Sequence, residues 1–557
     1  MKRQAIRIGR SPNGGSARNG VTAHLRATVV VATALALLSG LFVTVSPTPP
    51  AAAAVGDCES LESLVLDEVT AISAELDNDG LFTLPPGPFG PGGDVPVPTF
   101  CRVQLTVSPA INIEVWLPTN TYNNRFQAVG GGVYAGVISY DALVGALNAG
   151  YATASTDTGH QASPLSGAWA FNPDGTLNDG LVEDFASRSL FELTKKAKAL
   201  IEEFYGAEEE YAYWNGCSTG GRQGLMLAQR MPEAYDGILA GAPAINWDRF
   251  HPGQLWFQVV MQQELGAPIC QDKLAFATQA AVEACDRRDG VEDGVIADPS
   301  QCKFDARKLI GEVVPDSECG EFTKDDAVVV NAIWDGARAV RGHSPNHGKF
   351  LWYGLSRGAP LNALAGTFAF PVTLEHLKWV QEDQAFDWTT LDYKGFTGAF
   401  RQSQERFNDV IGTDDPDLRD FRNGGGKVLL WHGWYDQLIM PEGTIDYYER
   451  VVHRMGGWHR TADFARLFMA PGVFHCGGGP GPNQFDAFGA LVAWVEGGDA
   501  PNRIIASGVN PVDGQALTRP LCLYPRVARY DGKGDPNQES SFDCRFNFGG
   551  WWKHSGN

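Results

Sequence analysis

The sequence predicts an α/β fold in which a mainly parallel sheet is interrupted by one large insertion. Three observations support this expectation: strand and helix patterns alternate in the first half of the chain, the alternation stops over residues 246–425, and it resumes afterwards. Alternation of this kind is typical of parallel sheets, because a crossover helix connects one strand to the next. A length of 557 residues also fits a core with an insertion better than one simple domain.

The first half of the chain supplies most of the predicted elements. Cys58 to Leu76 has apolar residues at helical spacing and predicts a helix. Residues 101–117 alternate and predict a strand, and the apolar runs at 126–129 and 151–156 predict two short buried strands. An amphipathic helix is predicted over residues 183–205.

The remaining core elements are predicted on both sides of the insertion. Before it come a strand at 210–215, a helix at 221–230 and a strand at 237–242. After it come strands at 427–431 and 465–469 and helices near 441–455 and at 486–495. We therefore predict a core domain of residues 55–245 and 426–557, and we interpret the inserted residues 246–425 as a lid domain.

The first 54 residues predict an export leader. Six basic residues and no acidic residue accompany an apolar run from Ala27 to about Val45, and Ala51 to Ala54 offers a small-residue cleavage site. We expect the leader to be removed and the mature chain to be secreted to the extracellular space. The alternative is an uncleaved membrane anchor, because the apolar run is long for a signal peptide.

The charge of the chain excludes two classes of partner. Lys and Arg total 44 against 65 Asp and Glu, so the formal net charge is -21, and loss of the leader makes it more negative. Nucleic acids require a basic surface, and an anionic membrane surface would repel this chain in the same way. A hydrophobic content of 44% is enough to build a buried core. We expect no nucleic-acid partner, and no membrane partner once the leader is removed.

One short motif predicts a nucleophile. It fits the pattern G-x-S-x-G and reads Gly216-Cys217-Ser218-Thr219-Gly220. It lies between a predicted strand and a predicted helix, which is the context that a nucleophile elbow requires. The glycines permit a sharp turn that exposes the Ser218 hydroxyl, and the N–H of Thr219 would point toward a developing oxyanion. The alternative is a surface turn with a capping serine.

A nucleophilic serine needs a base, and the base needs an acid to orient it. Asp436 follows the predicted strand 427–431, and His475 follows the predicted strand 465–469. Both are therefore expected at the same edge of the parallel sheet as Ser218. The order Ser, Asp, His is the order of α/β-hydrolases, so we predict an α/β-hydrolase core with a large inserted lid domain.

Other residues near these strands could take the same roles. Asp446 or Asp463 could be the orienting acid, which would leave Asp436 as a turn residue. His432 could be the base, although its place at the end of a strand favours a structural role.

The cysteines support the predicted triad. All ten lie beyond the leader, and an even number in an exported chain predicts disulfides. Cys217 precedes Ser218, and Cys476 follows His475. Catalysis needs the serine oxygen and the histidine nitrogen within about 3 Å, which brings the two cysteines within the range of a disulfide, roughly 4.4–6.8 Å between Cα atoms. We predict the bridge Cys217–Cys476; the alternative is two unrelated thiols.

With these residues, the chain resembles the tannase and feruloyl esterase family. That family shows a Cys-Ser, Asp, His-Cys pattern with the two cysteines bridged, and the likeness extends from about Cys58 to Cys544. Its members include tannases, feruloyl esterases and mono(2-hydroxyethyl) terephthalate hydrolase. The resemblance implies that Ser218, Asp436 and His475 are nucleophile, orienting acid and base.

The resemblance also implies the two donors of an oxyanion hole. One is the N–H of Thr219. The other comes from the run Gly130–Gly132, and Gly132 is preferred, although a neighbouring glycine remains an alternative.

A metal site is predicted in the inserted domain. The Gly-bent loop from Cys285 to Val295 places four carboxylates close together, and hard oxygen donors suit Ca²⁺. The family resemblance gives the ligands as the side chains of Asp286, Asp289 and Asp293 and the main-chain carbonyls of Val291 and Val295. The alternative is a solvated acidic turn that also includes Glu292.

Four further disulfides are expected. The resemblance supports Cys285–Cys302, which brackets the predicted calcium loop. Locality and resemblance together support Cys58–Cys101 and Cys522–Cys544. Cys270–Cys319 remains by elimination.

We therefore expect a secreted serine carboxylesterase that needs no organic cofactor and acts on a small aromatic ester, free or linked to a polymer. Feruloyl and other hydroxycinnamoyl esters are the first expectation; gallate esters and terephthalate monoesters are alternatives. Lid aromatics such as Trp352, Phe368, Phe370 and Trp388 could stack on the acyl group, although aromatic residues are chiefly buried. An exported peptidase or amidase and an inactive binding protein are more distant alternatives. The sequence leaves the oligomeric state open.

Overall fold

The structure, a computed structural model, describes residues 56–87, 90–340 and 344–546. The predicted leader, residues 1–54, lies outside these ranges. The strands of the described part are β1 (Val69–Asp77), β2 (Leu81–Leu84), β3 (Gly93–Pro96), β4 (Phe100–Val107), β5 (Ile111–Pro118), β6 (Arg125–Val129), β7 (Ala152–Thr156), β8 (Tyr211–Cys217), β9 (Gly237–Gly241), β10 (Ala337–Val340), β11 (Gly348–Trp352), β12 (Lys427–Gly433), β13 (Ala465–Ala470), β14 (Arg503–Val509), β15 (Ala516–Cys522), β16 (Arg526–Tyr530) and β17 (Phe542–Phe546).

The α-helices follow the same chain order. They are α1 (Tyr140–Asn148), α2 (Asp179–Glu183), α3 (Ser189–Tyr205), α4 (Thr219–Arg230), α5 (Trp247–Leu265), α6 (Gln271–Cys285), α7 (Lys324–Asp335), α8 (Pro371–Gln381), α9 (Tyr393–Phe407), α10 (Arg419–Asn423), α11 (Pro441–Arg454), α12 (Trp458–Ala462) and α13 (Ala487–Gly497). A π-helical turn over Asp184–Arg188 joins α2 to α3. The helix that the sequence predicts over 183–205 is therefore confirmed for most of its length.

A central sheet with the strand order β1-β4-β5-β7-β6-β8-β9-β12-β13 organises the molecule. The strands from β7 to β13 run parallel, and β1, β4 and β5 pair antiparallel at one side. Every residue of β7, β9 and β13 is buried, which explains why these strands are continuous short runs without alternation. The fold is the predicted α/β-hydrolase fold, and parallel strands bring their carboxyl ends to one edge.

The predicted insertion leaves the sheet and returns to it. β9 and β12 are hydrogen-bonded parallel neighbours, with Leu239 opposite Leu429. The chain between them forms α5 to α10 and the hairpin β10–β11, all outside the central sheet. In this segment α5 packs against α7, α8 and α9. The sequence of this segment shows no strand–helix alternation because its helices pack on one another and do not connect strands of the central sheet.

Two predictions at the start of the core need correction. The helix predicted over Cys58 to Leu76 is wrong, because a short 3-10 turn at Glu59–Ser63 leads into the edge strand β1. A bulge between Val69 and Ala71 shifts the register of β1 against β4, so its apolar side chains do not alternate strictly and imitate helical spacing. The single strand predicted over 101–117 is instead the hairpin of β4 and β5.

Five disulfides join all ten cysteines in the predicted pairs. They are Cys58–Cys101, Cys217–Cys476, Cys270–Cys319, Cys285–Cys302 and Cys522–Cys544. In the part of the chain that the structure describes, none of the helices is both long and apolar enough to cross a membrane.

Candidate active site

The predicted nucleophile lies in a strained turn between β8 and α4. Ser218 has φ 62° and ψ −125°, a conformation that non-glycine residues rarely adopt. A methyl group at Gly216 would overlap main-chain atoms of Gly220, so the turn is closed by two chain segments in direct contact. This is the geometry of a nucleophile elbow, which presents the hydroxyl beyond the end of the strand.

Three side chains form one hydrogen-bonded chain at this turn. The distance from Ser218 Oγ to His475 Nε2 is 2.9 Å. The distance from His475 Nδ1 to Asp436 Oδ2 is 2.7 Å. The Asp436 carboxylate is fully buried, whereas the His475 side chain is 14% exposed. Both are hydrogen-bond distances, as a nucleophile, its base and the acid that orients the base require, so the structure brings together the three residues that the sequence singled out.

The loops that hold the acid and the base are tied to each other. Asp436 follows β12 and His475 follows β13, and these two strands are parallel neighbours. The N–H of Tyr435 donates to the carbonyl of Val473 at 3.0 Å. The N–H of His475 donates to the side-chain carbonyl of Gln437 at 3.1 Å. Sequence reasoning missed Gln437; its position directly after Asp436 was the available signal.

The Cys217–Cys476 disulfide joins the nucleophile elbow to the loop of the base. Its Cα atoms are 5.9 Å apart, which lies within the range of an ordinary bridge. Cys476 itself has φ 60°, so the chain turns sharply directly after His475. The bridge holds the chain neighbours of Ser218 and His475 at a fixed separation.

The surroundings of Asp436 favour its ionised form. Burial alone would raise the pKa of this carboxyl, but the charges and hydrogen bonds of His475 and His432 hold it well below its ordinary value. The N–H groups of Leu438 and Ile439 each donate to Oδ1 at 2.8 Å. Asp436 is therefore a buried carboxylate with a hydrogen-bond donor at each oxygen.

The alternative candidates lie in other environments. His432 is fully buried, and its ring contacts the carboxylate of Asp436. Asp446 pairs with Arg450 at 3.1 Å on helix α11. Asp463 precedes β13, and its carbonyl accepts a hydrogen bond from Lys427. Of the three candidate acids, Asp436 is the one whose carboxylate contacts the His475 ring.

The glycine run beside the elbow contains one free donor. The N–H of Gly130 donates to the carbonyl of Asn215 at 3.0 Å, and the N–H of Gly131 donates to Gln223 Oε1 at 2.9 Å. Within the described residues, no acceptor takes the N–H of Gly132 or of Thr219. These two N–H groups are therefore available to a developing oxyanion, and the choice among the three glycines favours Gly132.

The loop at residues 285–295 contains three buried carboxylates. Asp286, Asp289 and Asp293 are all buried, and their carboxylates accept N–H bonds from the loop itself. Asp293 also pairs with Arg519 at 2.6 Å. Glu292 points outward and pairs with Arg287. Among the described residues, His, Cys, Asp and Glu side chains do not form a group of three that could hold a metal ion by themselves, so a site at this loop would also need main-chain carbonyl ligands.

The four aromatic residues considered for the acyl group have different environments. The ring of Trp352 is buried and lies against Gly253 and Gly443. Phe370 and Trp388 are partly buried against the core. Phe368 is 84% exposed. Trp352 is thus part of the core, whereas Phe368 is open to solvent.

Comparisons with known proteins agree on one family. A family model described as tannase and feruloyl esterase matches residues 97–545. A probable feruloyl esterase of Arthroderma benhamiae is 39% identical over 495 residues, which cover 84% of this chain and 88% of that protein. Mono(2-hydroxyethyl) terephthalate hydrolase of Piscinibacter sakaiensis is 34% identical over 495 residues, 76% of this chain and 79% of that protein. The crystal structure of feruloyl esterase B from Aspergillus oryzae has a TM-score of 0.76 at 27% identity and covers 88% of this chain and 99% of that chain.

Proposed function

The chain belongs to the tannase and feruloyl esterase family and is a carboxylic ester hydrolase; from this premise we propose that it hydrolyses esters of aromatic acids by a serine mechanism, with feruloyl and other hydroxycinnamoyl esters as its first substrates. The observation that carries the mechanism is the hydrogen-bonded chain from Ser218 through His475 to Asp436, at 2.9 and 2.7 Å. The acyl class is supported by the relative at 39% identity, whose name is probable feruloyl esterase.

Acylation begins when Ser218 Oγ attacks the ester carbonyl carbon. His475 Nε2 takes the serine proton as the new C–O bond forms, and the carbonyl oxygen becomes an oxyanion. The N–H groups of Gly132 and Thr219 donate to that oxyanion, and each is worth about 3–4 kcal/mol in the transition state. The ester C–O bond then breaks, and His475 gives its proton to the departing alcohol.

Deacylation repeats these steps with water. His475 removes a proton from the water molecule as its oxygen attacks the acyl carbon, and the same two N–H groups hold the second oxyanion. The bond to Ser218 breaks, the serine oxygen recovers its proton from His475, and the aromatic acid leaves. Throughout, the ionised Asp436 holds Nδ1–H and stabilises the imidazolium.

Hydrolysis of three esters by the purified mature protein tests this proposal: methyl ferulate, methyl gallate and mono(2-hydroxyethyl) terephthalate. Turnover of methyl ferulate that disappears in Ser218→Ala supports it. The terephthalate monoester is the second candidate substrate, because a relative named mono(2-hydroxyethyl) terephthalate hydrolase is 34% identical to this chain. If only the gallate or the terephthalate ester is hydrolysed, the proposed acyl group is wrong and the proposed mechanism stands. Full activity in Ser218→Ala would refute the mechanism.

We further propose that the loop 285–295 binds a structural Ca²⁺ ion. Asp286, Asp289 and Asp293 are all buried within one short loop, and a divalent cation would offset this crowding of carboxylates. The carbonyls of Val291 and Val295 would complete the ligand set of Asp286, Asp289 and Asp293. The ion would stabilise the loop and take no part in the reaction.

Two proposals about the whole chain accompany this function. Residues 1–54 direct export, and the five disulfides suit the oxidising compartment in which a secreted protein folds. Residues 246–425 serve as a lid over the acyl group. N-terminal sequencing of secreted protein tests the first, and a mature N-terminus near residue 55 is the expected result. A structure with a bound aromatic acid tests the second, and contacts to the acid from this segment are expected.

A further inference from the structure

A second imidazole, that of His432, contacts the same oxygen of the Asp436 carboxylate as His475 does. His432 is near the end of β12, four residues before Asp436, and its ring is fully buried. Its Nε2 lies 3.0 Å from Asp436 Oδ2 and 3.1 Å from the carbonyl oxygen of Ile439. Its Nδ1 lies 2.9 Å from the hydroxyl of Thr444. Each ring nitrogen therefore has a partner of defined chemistry.

These partners fix where the ring carries its hydrogen. A carboxylate and a carbonyl only accept hydrogen bonds, so Nε2 carries a hydrogen and donates it to Asp436. The Thr444 hydroxyl can donate to Nδ1 of a neutral ring or accept from a charged one. In both states the contact with Thr444 keeps Nε2–H directed toward the carboxylate.

The Asp436 carboxylate is held by two different pairs of donors. The main-chain N–H groups of Leu438 and Ile439 hold Oδ1. The two imidazole rings share Oδ2, with His475 Nδ1 at 2.7 Å and His432 Nε2 at 3.0 Å. An ionised carboxylate oxygen accepts about two hydrogen bonds. Because His432 takes one of the two acceptor positions on Oδ2, the other is left for His475.

We propose that His432, oriented by Thr444, is a positioning residue that keeps Asp436 Oδ2 aimed at His475 during acyl transfer, an inference that rests on the proposed serine mechanism. The Nε2–H bond also takes up part of the negative charge on Oδ2. Without it, that charge acts on His475 alone, so the pH dependence of labelling should change together with its rate. A residue that only fills space would change stability but would move neither the rate nor this pH dependence.

The test uses a reaction that is independent of the acyl group. A fluorophosphonate probe labels an activated serine, and the second-order rate constant for labelling Ser218 is measured from about pH 5 to 9, beside kcat, KM and Tm. His432→Leu removes both ring nitrogens and keeps an apolar side chain. His432→Gln keeps an N–H near the place of Nε2, and Thr444→Val removes the hydroxyl at nearly the same volume.

A matched control removes another buried histidine. His376 on α8 is also fully buried, and its Nε2 is 2.7 Å from the hydroxyl of Ser403, far along the chain from the triad. His376→Leu therefore reproduces the loss of a buried, hydrogen-bonded imidazole without changing the partners of Asp436. We expect it to lower Tm and to leave the labelling rate and its pH dependence unchanged.

For His432→Leu we expect labelling about 10–100-fold slower, the range that loss of one hydrogen bond to a buried charge implies. Its pH–rate profile should differ from that of the parent, and KM should stay constant while kcat falls. His432→Gln should recover most of the rate, and Thr444→Val should fall between. If His432→Leu fails to fold, Thr444→Val decides by comparison with His376→Leu: slower labelling in Thr444→Val, with no such fall in His376→Leu at a comparable Tm, is expected from the positioning role and not from a loss of packing alone.

Labelling of His432→Leu within twofold of the parent, with the same pH–rate profile, would overturn the inference, and so would an equal fall in His376→Leu. The outcome is separable from the substrate proposal. If the parent is labelled but hydrolyses none of the three aromatic esters, the substrate proposal fails and the labelling rates still decide the role of His432. If the parent is not labelled at all, the serine mechanism fails and the inference falls with it.

Discussion

Removal of the Cys217–Cys476 bridge should cost both stability and turnover. The two cysteines are 259 residues apart, and closing a loop of that length restricts the unfolded chain by about 5.6 kcal/mol in the chain-entropy model. The nested Cys270–Cys319 bridge already shortens this loop by 49 residues, which lowers the figure only to about 5.4 kcal/mol because the dependence is logarithmic. A chain of about 500 residues has an unfolding entropy of about 1 kcal/mol per degree, so we expect Tm to fall by about 5 °C.

The Cys522–Cys544 bridge provides a matched control. It closes a loop of 22 residues, for which the same model gives about 3.4 kcal/mol and a fall of about 3 °C. Both pairs are replaced by alanine, Tm is measured by scanning calorimetry, and kcat is measured on the best ester. The Cys217/Cys476 variant alone should lose kcat, by about tenfold or more, because the Ser218–His475 contact then depends on the loops alone.

Two results would refute this reasoning. A kcat within twofold of the parent in the Cys217/Cys476 variant would show that the loops place Ser218 and His475 without the bridge. A fall in Tm no larger than that of the Cys522/Cys544 variant would show that loop length does not set the stability contribution.

Three other perturbations have defined expected results. Asp436→Asn should lower kcat by about 10⁴-fold with little change in KM, since an amide cannot hold the same imidazole tautomer; steady-state kinetics check this, and a loss below tenfold would contradict it. Chelator treatment should lower Tm and release calcium measurable by mass spectrometry, and Asp289→Asn should abolish that response; an unchanged Tm with no metal released would remove the calcium proposal. Burial raises the pKa of Glu442 from its ordinary 4.5 to about 7, so the folded state holds a proton that the unfolded chain releases, and the free energy of unfolding should fall as pH rises from about 4.5 to 7. Denaturant titrations should show a flatter dependence for Glu442→Gln over that window, and an equal slope in both proteins would show that Glu442 is not its source.

Most of the candidate site could be read from the sequence because its signals are local. The elbow needs two glycines around Ser218 within five residues, and Asp436 and His475 each follow a short apolar run by a few positions. The rule that parallel strands end at one edge of a sheet brings these separate segments together. The bridge between Cys217 and Cys476 then follows from chain neighbourhood alone.

The errors and gaps concern features that depend on distant partners. The apolar residues of β1 have helical spacing because a bulge shifts the strand's register against β4. No pattern within Cys58 to Leu76 indicates that this segment pairs with β4. The sequence shows only that the insertion contains several aromatic residues. Packing in the folded chain buries Trp352 and leaves Phe368 exposed.

The sequence by itself determined the fold class, the disulfide between Cys217 and Cys476 and the three residues that we propose as the triad, because each rests on short-range spacing and on the order of elements. Only the tertiary structure decided which donors remain free and which groups surround the acid. Gly132 is distinguished from Gly130 and Gly131 because Asn215 and Gln223, far along the chain, accept the other two N–H groups. His432 is four residues from Asp436 in the sequence, but its partnership depends on how β12, its following loop and α11 pack. Hydrogen bonds are satisfied in three dimensions, so their final assignment belongs to the folded chain.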